Sequence, residues 1–126
     1  MRNKKQPSLG FTFIELMIVM AIAALLLSIA VPRYFAGLQR AKEAVLREDL
    51  ATMRDAIGHY HADKGAYPPS LSVLAEHKYL REIPIDPITE QADWVTIDPP
   101  DHSAGVYDVR SGSPNTANNG TLYGEW

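Results

Sequence analysis

The stretch from Phe11 to Val31 reads FTFIELMIVMAIAALLLSIAV, and Glu15 is its one charged residue. As an α-helix it would be about 32 Å long at roughly 1.5 Å per residue, enough to cross the hydrocarbon core of a bilayer. A buried helix in a chain of 126 residues would not need so long a stretch that is apolar all round. The stretch therefore predicts a membrane-spanning helix.

Charge is distributed unevenly on either side of this stretch. Residues 1–10 carry three bases and no acid, residues 32–64 hold six bases and five acids, and residues 65–126 hold three bases against nine acids. Because the net charge is −3 and the distal part is acidic, no nucleic-acid partner is expected. The short basic leader favours a cytoplasmic N-terminus, since the larger distal part can translocate largely regardless of its charge.

An ordinary signal peptide is the alternative interpretation of this region. Its apolar part would be nearer about 7–15 residues and would end in a small-residue cleavage site. Ser28-Ile29-Ala30 resembles such a site, and cleavage there would release a small exported domain. Helical periodicity continues beyond Ala30, however, which favours a retained helix.

The residues around Gly10 resemble the class III signal of type IV pilins and pseudopilins. A short basic leader ends in Gly10, the aromatic Phe11 follows, and Glu15 is the fifth residue after the glycine. The resemblance implies that a prepilin peptidase cuts between Gly10 and Phe11 and methylates the new amino group of Phe11. It also implies that Glu15 serves filament assembly by pairing with the terminal amine of a neighbouring subunit. Pairing with the amine of the same chain stays open.

Pro32 follows the apolar stretch, where this family commonly carries a proline. A proline removes a backbone hydrogen bond and kinks or locally opens a helix. We expect a helix kink at Pro32. The alternative is that the spanning helix ends there.

Beyond Pro32, the spacing of apolar residues predicts a second helical part that stops at Gly65. Glu43 and Arg47 are spaced as an i, i+4 ion pair. The apolar positions recur at intervals of four, three, four and three, and form one stripe onto which a small domain can pack: Leu46, Leu50, Met53, Ile57 and Tyr60.

Three motifs in the distal part resemble segments of the major pseudopilin of type II secretion. Asp63 to Pro68 looks like its D-x-G-x-Y-P turn, and Ile83 to Pro87 is similar to its L-P-x-D-P loop. Gly105 to Gly112 resembles its G-x-Y-D-x-x-S-x-G segment. With the junction at Gly10, the resemblance covers nearly the whole chain.

Local patterns predict little regular structure in this distal part. Ser70 is placed to cap a short helix to about His77, and 94–97 and 106–109 are strand candidates. The predicted fold is therefore α+β, a long N-terminal α-helix packed against a small antiparallel β-sheet as in pilins. The expected parts are a cleaved leader 1–10, a transmembrane or filament-core helix 11–31, an amphipathic half 32–64 and a periplasmic head 65–126.

The resemblance also implies a calcium site, because major pseudopilins of this type bind calcium between the last strand motif and the C-terminus. Oxygen ligands suit calcium, but residues 111–121 contain no Asp or Glu. The alternative is a turn region held by Asx-type hydrogen bonds. The candidate ligands are Asp108, Ser111, Ser113, Asn115, Asn118 and Asn119.

No catalytic pattern stands out in the sequence. The chain has no Cys, no G-x-S-x-G nucleophile elbow and no Gly-rich phosphate loop, so we expect no enzyme.

The resemblance instead implies a structural subunit of a type II secretion pseudopilus, a helical filament that helps export folded proteins through the outer membrane. The implied partners are further copies of the chain, other pseudopilins, the prepilin peptidase and an inner-membrane assembly platform. Before assembly, the subunit would be a single-pass inner-membrane protein with a cytoplasmic N-terminus and a periplasmic head. The alternative is a major or minor subunit of a type IV pilus used for adhesion, motility or DNA uptake.

Overall fold

A computed structural model describes residues 10–126, so the predictions for leader residues 1–9 lie outside the described part of the chain. The described residues form one long helix, one short helix, two short strands and a final 3₁₀ turn. This composition confirms the α+β fold. The elements are α1 (Phe13–Lys64), α2 (Leu71–Glu76), β1 (Val95–Ile97), β2 (Asp108–Arg110) and the turn Tyr123–Glu125.

The chain divides into two compact units between Gly37 and Leu38. The described residues of the first unit include the apolar part of α1. The second unit, Leu38–Trp126, contains the rest of α1 and all other elements. The second unit begins at Leu38, well before the end of α1 at Lys64, because the amphipathic half of this helix supplies much of its core.

Helix α1 is continuous across Pro32, so the alternative that the spanning helix ends there is wrong. Because proline has no amide hydrogen, the carbonyl of Ser28 loses its usual helical partner. The hydroxyl of Ser28 donates to the carbonyl of Leu25 at 2.6 Å, one turn earlier. A kink at Pro32 stays a prediction.

The end of α1 follows the predicted stop signal. The helix ends at Lys64, and Gly65 has a φ of 70°, in the left-handed region that glycine adopts without strain. The Gly65 amide donates to the carbonyl of His61 at 2.9 Å and closes the last turn.

The core of the second unit forms around the predicted apolar stripe. Four of its five members are buried, and Tyr60 packs half-buried at its end. Each fully buried Leu contributes roughly 1.5–3 kcal/mol relative to an exposed one. The buried apolar residues are Leu46, Leu50, Met53, Ala56, Ile57, Leu71, Leu74, Leu80, Trp94, Val106, Val109, Ala117 and Tyr123.

Strands β1 and β2 pair antiparallel, with Val95 opposite Arg110. They overlap the predicted strands but start later. Trp94 is buried and its indole nitrogen donates to the carbonyl of Pro84 at 2.7 Å. The amide of Val106 donates to the carbonyl of Pro68 at 2.8 Å, so these two residues anchor loops instead of extending the ladder.

Helix α2 is confirmed, and Ser70 is its N-cap residue as predicted. The hydroxyl of Ser70 makes no capping bond, however, and pairs with the hydroxyl of Ser72 at 2.7 Å. The buried side chains of Leu71 and Leu74 fix this six-residue helix onto the core instead.

Candidate functional site

The residues after the predicted cleavage site lead directly into α1. Gly10, Phe11 and Thr12 precede the helix, which begins at Phe13. The hydroxyl of Thr12 accepts the amide of Glu15 at 3.1 Å, and the Thr12 carbonyl accepts the amide of Leu16 at 3.1 Å. Thr12 is therefore the N-cap of α1.

Glu15 lies in the first turn of α1 and is exposed. The positive end of the helix dipole favours an acid at this position. Within residues 10–126, its carboxylate makes no hydrogen bond or ion pair. The backbone of Glu15 is thus fixed by Thr12, while its carboxylate stays available to a group from outside the described chain.

Apolar side chains cover the first part of α1 on every face. The large apolar residues from Phe11 to Val31 are 45–82% exposed, so nothing in the described chain covers them. Among the described helices, α1 is long and apolar enough to cross a membrane. A surface of this extent requires a lipid or protein environment.

Three of the calcium candidates use their side-chain oxygens in short-range hydrogen bonds within the loop. The hydroxyl of Ser111 accepts the amide of Ser113 at 3.2 Å, and that of Ser113 accepts the amide of Asn115 at 3.2 Å. The side-chain carbonyl of Asn119 accepts both the amide and the hydroxyl of Thr121, at 3.0 and 2.6 Å. These are the short-range turn bonds that Asn and Ser side chains form in loops.

Glu43 of α1 contacts the end of the second unit and not Arg47. One oxygen of its carboxylate accepts the amide of Asn118 at 3.1 Å and the hydroxyl of Tyr123 at 2.8 Å. Burial raises the pKa of the Tyr123 hydroxyl, and its hydrogen bond to Glu43 adds to that shift. The predicted Glu43–Arg47 ion pair is wrong, since the guanidinium of Arg47 lies over the Trp126 ring, 4.3 Å from its centroid.

Arg54, two turns after Arg47 on α1, joins three parts of the second unit. Its Nε lies 2.7 Å from a carboxylate oxygen of Asp108, the one calcium candidate with a negative charge. Its Nη2 donates to the carbonyls of Val109, at 3.0 Å, and of Trp126. The side chain therefore links α1 to β2 and to the last described residue.

Asp86 is fully buried in the loop before β1. One carboxylate oxygen accepts the amide of Ile88 at 2.8 Å, and the other accepts the hydroxyl of Ser111. Its charge acts on the neighbouring carboxyl of Asp49, whose pKa is raised by burial first, then by Glu48 and Asp86.

Sequence reasoning missed the structural roles of four of these residues. The cap at Thr12 was visible as a T-x-x-E pattern, which typically marks a helix start. No local signal predicted the distant partners of Glu43, Arg54 and Asp86, which lie between 25 and 80 positions away in the chain.

One family model matches the region around the predicted cleavage site at Gly10. Residues 6–31 match the family model described as the prokaryotic N-terminal methylation motif. No solved structure matches the chain significantly.

Curated relatives match far more of the chain than this motif. The type II secretion system core protein G of Escherichia coli is 29% identical over 122 residues, covering 84% of this chain and 81% of the relative. The core protein G of Pseudomonas aeruginosa is 30% identical over 101 residues, covering 68% and 70%. The type IV wide pilus major component PilA4 of Thermus thermophilus is 36% identical over 77 residues, covering 59% and 53%. The chain therefore belongs to the type IV pilin and pseudopilin superfamily, in the family of the type II secretion system core protein G.

Proposed function

We propose that this chain is a structural subunit of a type II secretion pseudopilus, cut after Gly10 and assembled into a filament through Glu15. The observation that carries the proposal is the Glu15 carboxylate, which no group among residues 10–126 engages, at the start of an apolar helix with no internal cover. The match of residues 6–31 to the methylation motif supports the cut and the methylation of Phe11.

A cut before Phe11 would create a cation four residues from Glu15. In an apolar environment, both the new amine and the carboxylate need a partner of opposite charge. A neighbouring subunit shifted along the filament can bring its own Phe11 amine to Glu15. The pair would then favour the correct stagger between subunits, because a misplaced neighbour leaves two charges without partners.

Single-pass insertion in the inner membrane fits the apolar helix and the family. We assign the N-terminus to the cytoplasm and the second unit to the periplasm, because the leader is short and basic and the larger distal part can translocate largely regardless of its charge. The filament then replaces lipid around each apolar helix with the helices of other copies. Contacts between unlike surfaces of successive copies produce a filament and not a ring when the rotation between copies does not close.

Substitution of Glu15 tests the assembly role. In a strain that forms the filament, Glu15→Val is expected to insert in the membrane and lose its leader normally, while the yield of sheared filaments falls at least about tenfold, as for loss of a partly desolvated ion pair. Glu48→Gln, which also removes one acid from exposed α1 surface, is the control. Normal filament yield from Glu15→Val contradicts the charge-pairing account.

A type IV pilus is the second candidate, supported by the match to PilA4. The two candidate functions predict different losses when the chain is absent. Deletion of the gene should block release of proteins through the outer membrane if the filament is a pseudopilus. It should leave release intact and remove surface fibres if the filament is a pilus.

A further inference from the structure

The implied calcium ligands do not fit a calcium site as the chain arranges them. Calcium takes about six to eight oxygen ligands and gains affinity from carboxylates. Asp108 is the one carboxylate among the candidates, and Arg54 already neutralises it at 2.7 Å. Across residues 10–126, no group of three or more His, Cys, Asp or Glu side chains is placed to hold a metal ion.

Side chains of the protein instead fix the segment from Ser111 to Trp126 at three points. At its start, the buried Asp86 accepts the hydroxyl of Ser111. In its middle, Glu43 accepts the amide of Asn118 and the hydroxyl of Tyr123. Each bond joins residues at least 25 positions apart, so each restrains the segment against a different part of the fold.

The third point is Arg54, at the end of the segment. Its guanidinium binds the carboxylate of Asp108 and the carbonyl of Trp126. A single planar cation with donors on several sides can join a carboxylate and carbonyls, as a bound dication does with its oxygen ligands. Arg47 lies over the Trp126 ring and covers the same end.

Tyr123 connects the middle fixing point to the core. Its ring is buried, and its hydroxyl receives a bond from Gln39 while donating to Glu43. A buried hydroxyl without partners would cost folding free energy, so Glu43 and the segment stabilise each other.

From these contacts we infer that Glu43, Arg54 and Asp86 form a metal-independent clamp that holds the Ser111–Trp126 segment without calcium. With this clamp, the second unit folds in the same way at any calcium concentration. The inference concerns the unassembled chain, so it stands or fails independently of the proposed filament.

Thermal unfolding of the full chain in detergent tests the calcium part. Both tryptophans, Trp94 and Trp126, lie in the second unit, so their fluorescence reports its unfolding. The melting temperature is expected to be the same in excess EDTA and in millimolar calcium. A rise of several degrees with calcium overturns the inference, because an ion that binds the folded state raises its stability by mass action.

Two variants test the clamp. Glu43→Ala is expected to lower the melting temperature by about 4 °C or more, because it removes the oxygen that accepts both bonds, while Glu48→Ala, exposed on the same helix, does not lower it. Asp108→Asn is expected to lower it equally in EDTA and in calcium. An equal loss from Glu43→Ala and Glu48→Ala, or a calcium response that Asp108→Asn removes, contradicts the inference.

Discussion

At the scale of single residues, Thr12 caps the start of α1, while the Glu15 carboxylate takes no part in the cap. In a capping box, the acid at the third helical position bonds back to the amide of the cap. Here Thr12 caps the helix, and the carboxylate of Glu15 makes no such return bond within residues 10–126. The helix start is therefore stable while the acid stays available for assembly.

Asp49 makes the stability of the folded state depend on pH, and the direction of its pKa shift gives the sign. Burial, Glu48 and Asp86 raise its pKa, so the folded state binds this proton more tightly than the unfolded chain does. The ionised carboxylate therefore costs stability at neutral pH, and the cost disappears as the pH falls through the raised pKa.

Asp49→Asn should accordingly raise the melting temperature at neutral pH, with a gain that shrinks toward the ordinary carboxyl pKa of about 4. Thermal melts across this pH range check it, with Asp55→Asn at an exposed position of α1 as the matched control. A gain that grows as the pH falls has the wrong sign for this mechanism.

At the scale of elements, the second half of α1 is held by packing more than by its own propensity. Leu50 is almost fully buried, whereas Val45 on the same helix is 47% exposed. Leu50→Ala is expected to destabilise the second unit by about 2–5 kcal/mol, because it leaves a cavity in the core. Val45→Ala should change stability far less, and denaturant unfolding in detergent measures both. Similar losses from the two variants would contradict the assigned core face.

The turn at Gly105 is a second element-level constraint, and it explains part of the family-like motif that starts there. Gly105 has a φ of 121°, and a Cβ there would meet the Cβ and the carbonyl oxygen of Tyr67, each at 2.9 Å. The turn that brings β2 beside the Tyr67–Pro68 loop therefore requires glycine.

How far the sequence predicted these elements depended on the range of the interactions. The stripe from Leu46 to Tyr60 and the stop at Gly65 follow from local periodicity and backbone preference, and both predictions are confirmed. The N-cap position of Ser70 was also predicted correctly, but its hydroxyl pairs with that of Ser72 and makes no capping bond.

Long-range pairing was the part that the sequence left open. The Glu43–Arg47 spacing satisfied a local rule, yet Glu43 bonds Asn118 and Tyr123, 75 and 80 positions away. The i, i+4 rule considers only partners that are close in sequence. It therefore cannot predict a bond to the buried hydroxyl of Tyr123, which only folding brings close to Glu43.

At the scale of the whole molecule, the chain combines a unit with a conventional core and a helix whose apolar surface has no cover among the described residues. Such a surface requires a lipid or protein environment, and in the proposed function lipid covers it before assembly and other copies cover it in the filament. In the proposed mechanism, cleavage after Gly10 would decide when this exchange begins, because it would create the amine that Glu15 is proposed to bind.

The mass of the mature protein, purified from its own membranes, tests this account most directly. We predict a chain that begins at Phe11 and is heavier by one methyl group, whereas a bulky replacement such as Gly10→Leu leaves the leader attached. A mature chain that begins at Val31 or later would lack the apolar helix and Glu15. That result would contradict the filament account and leave a small exported domain.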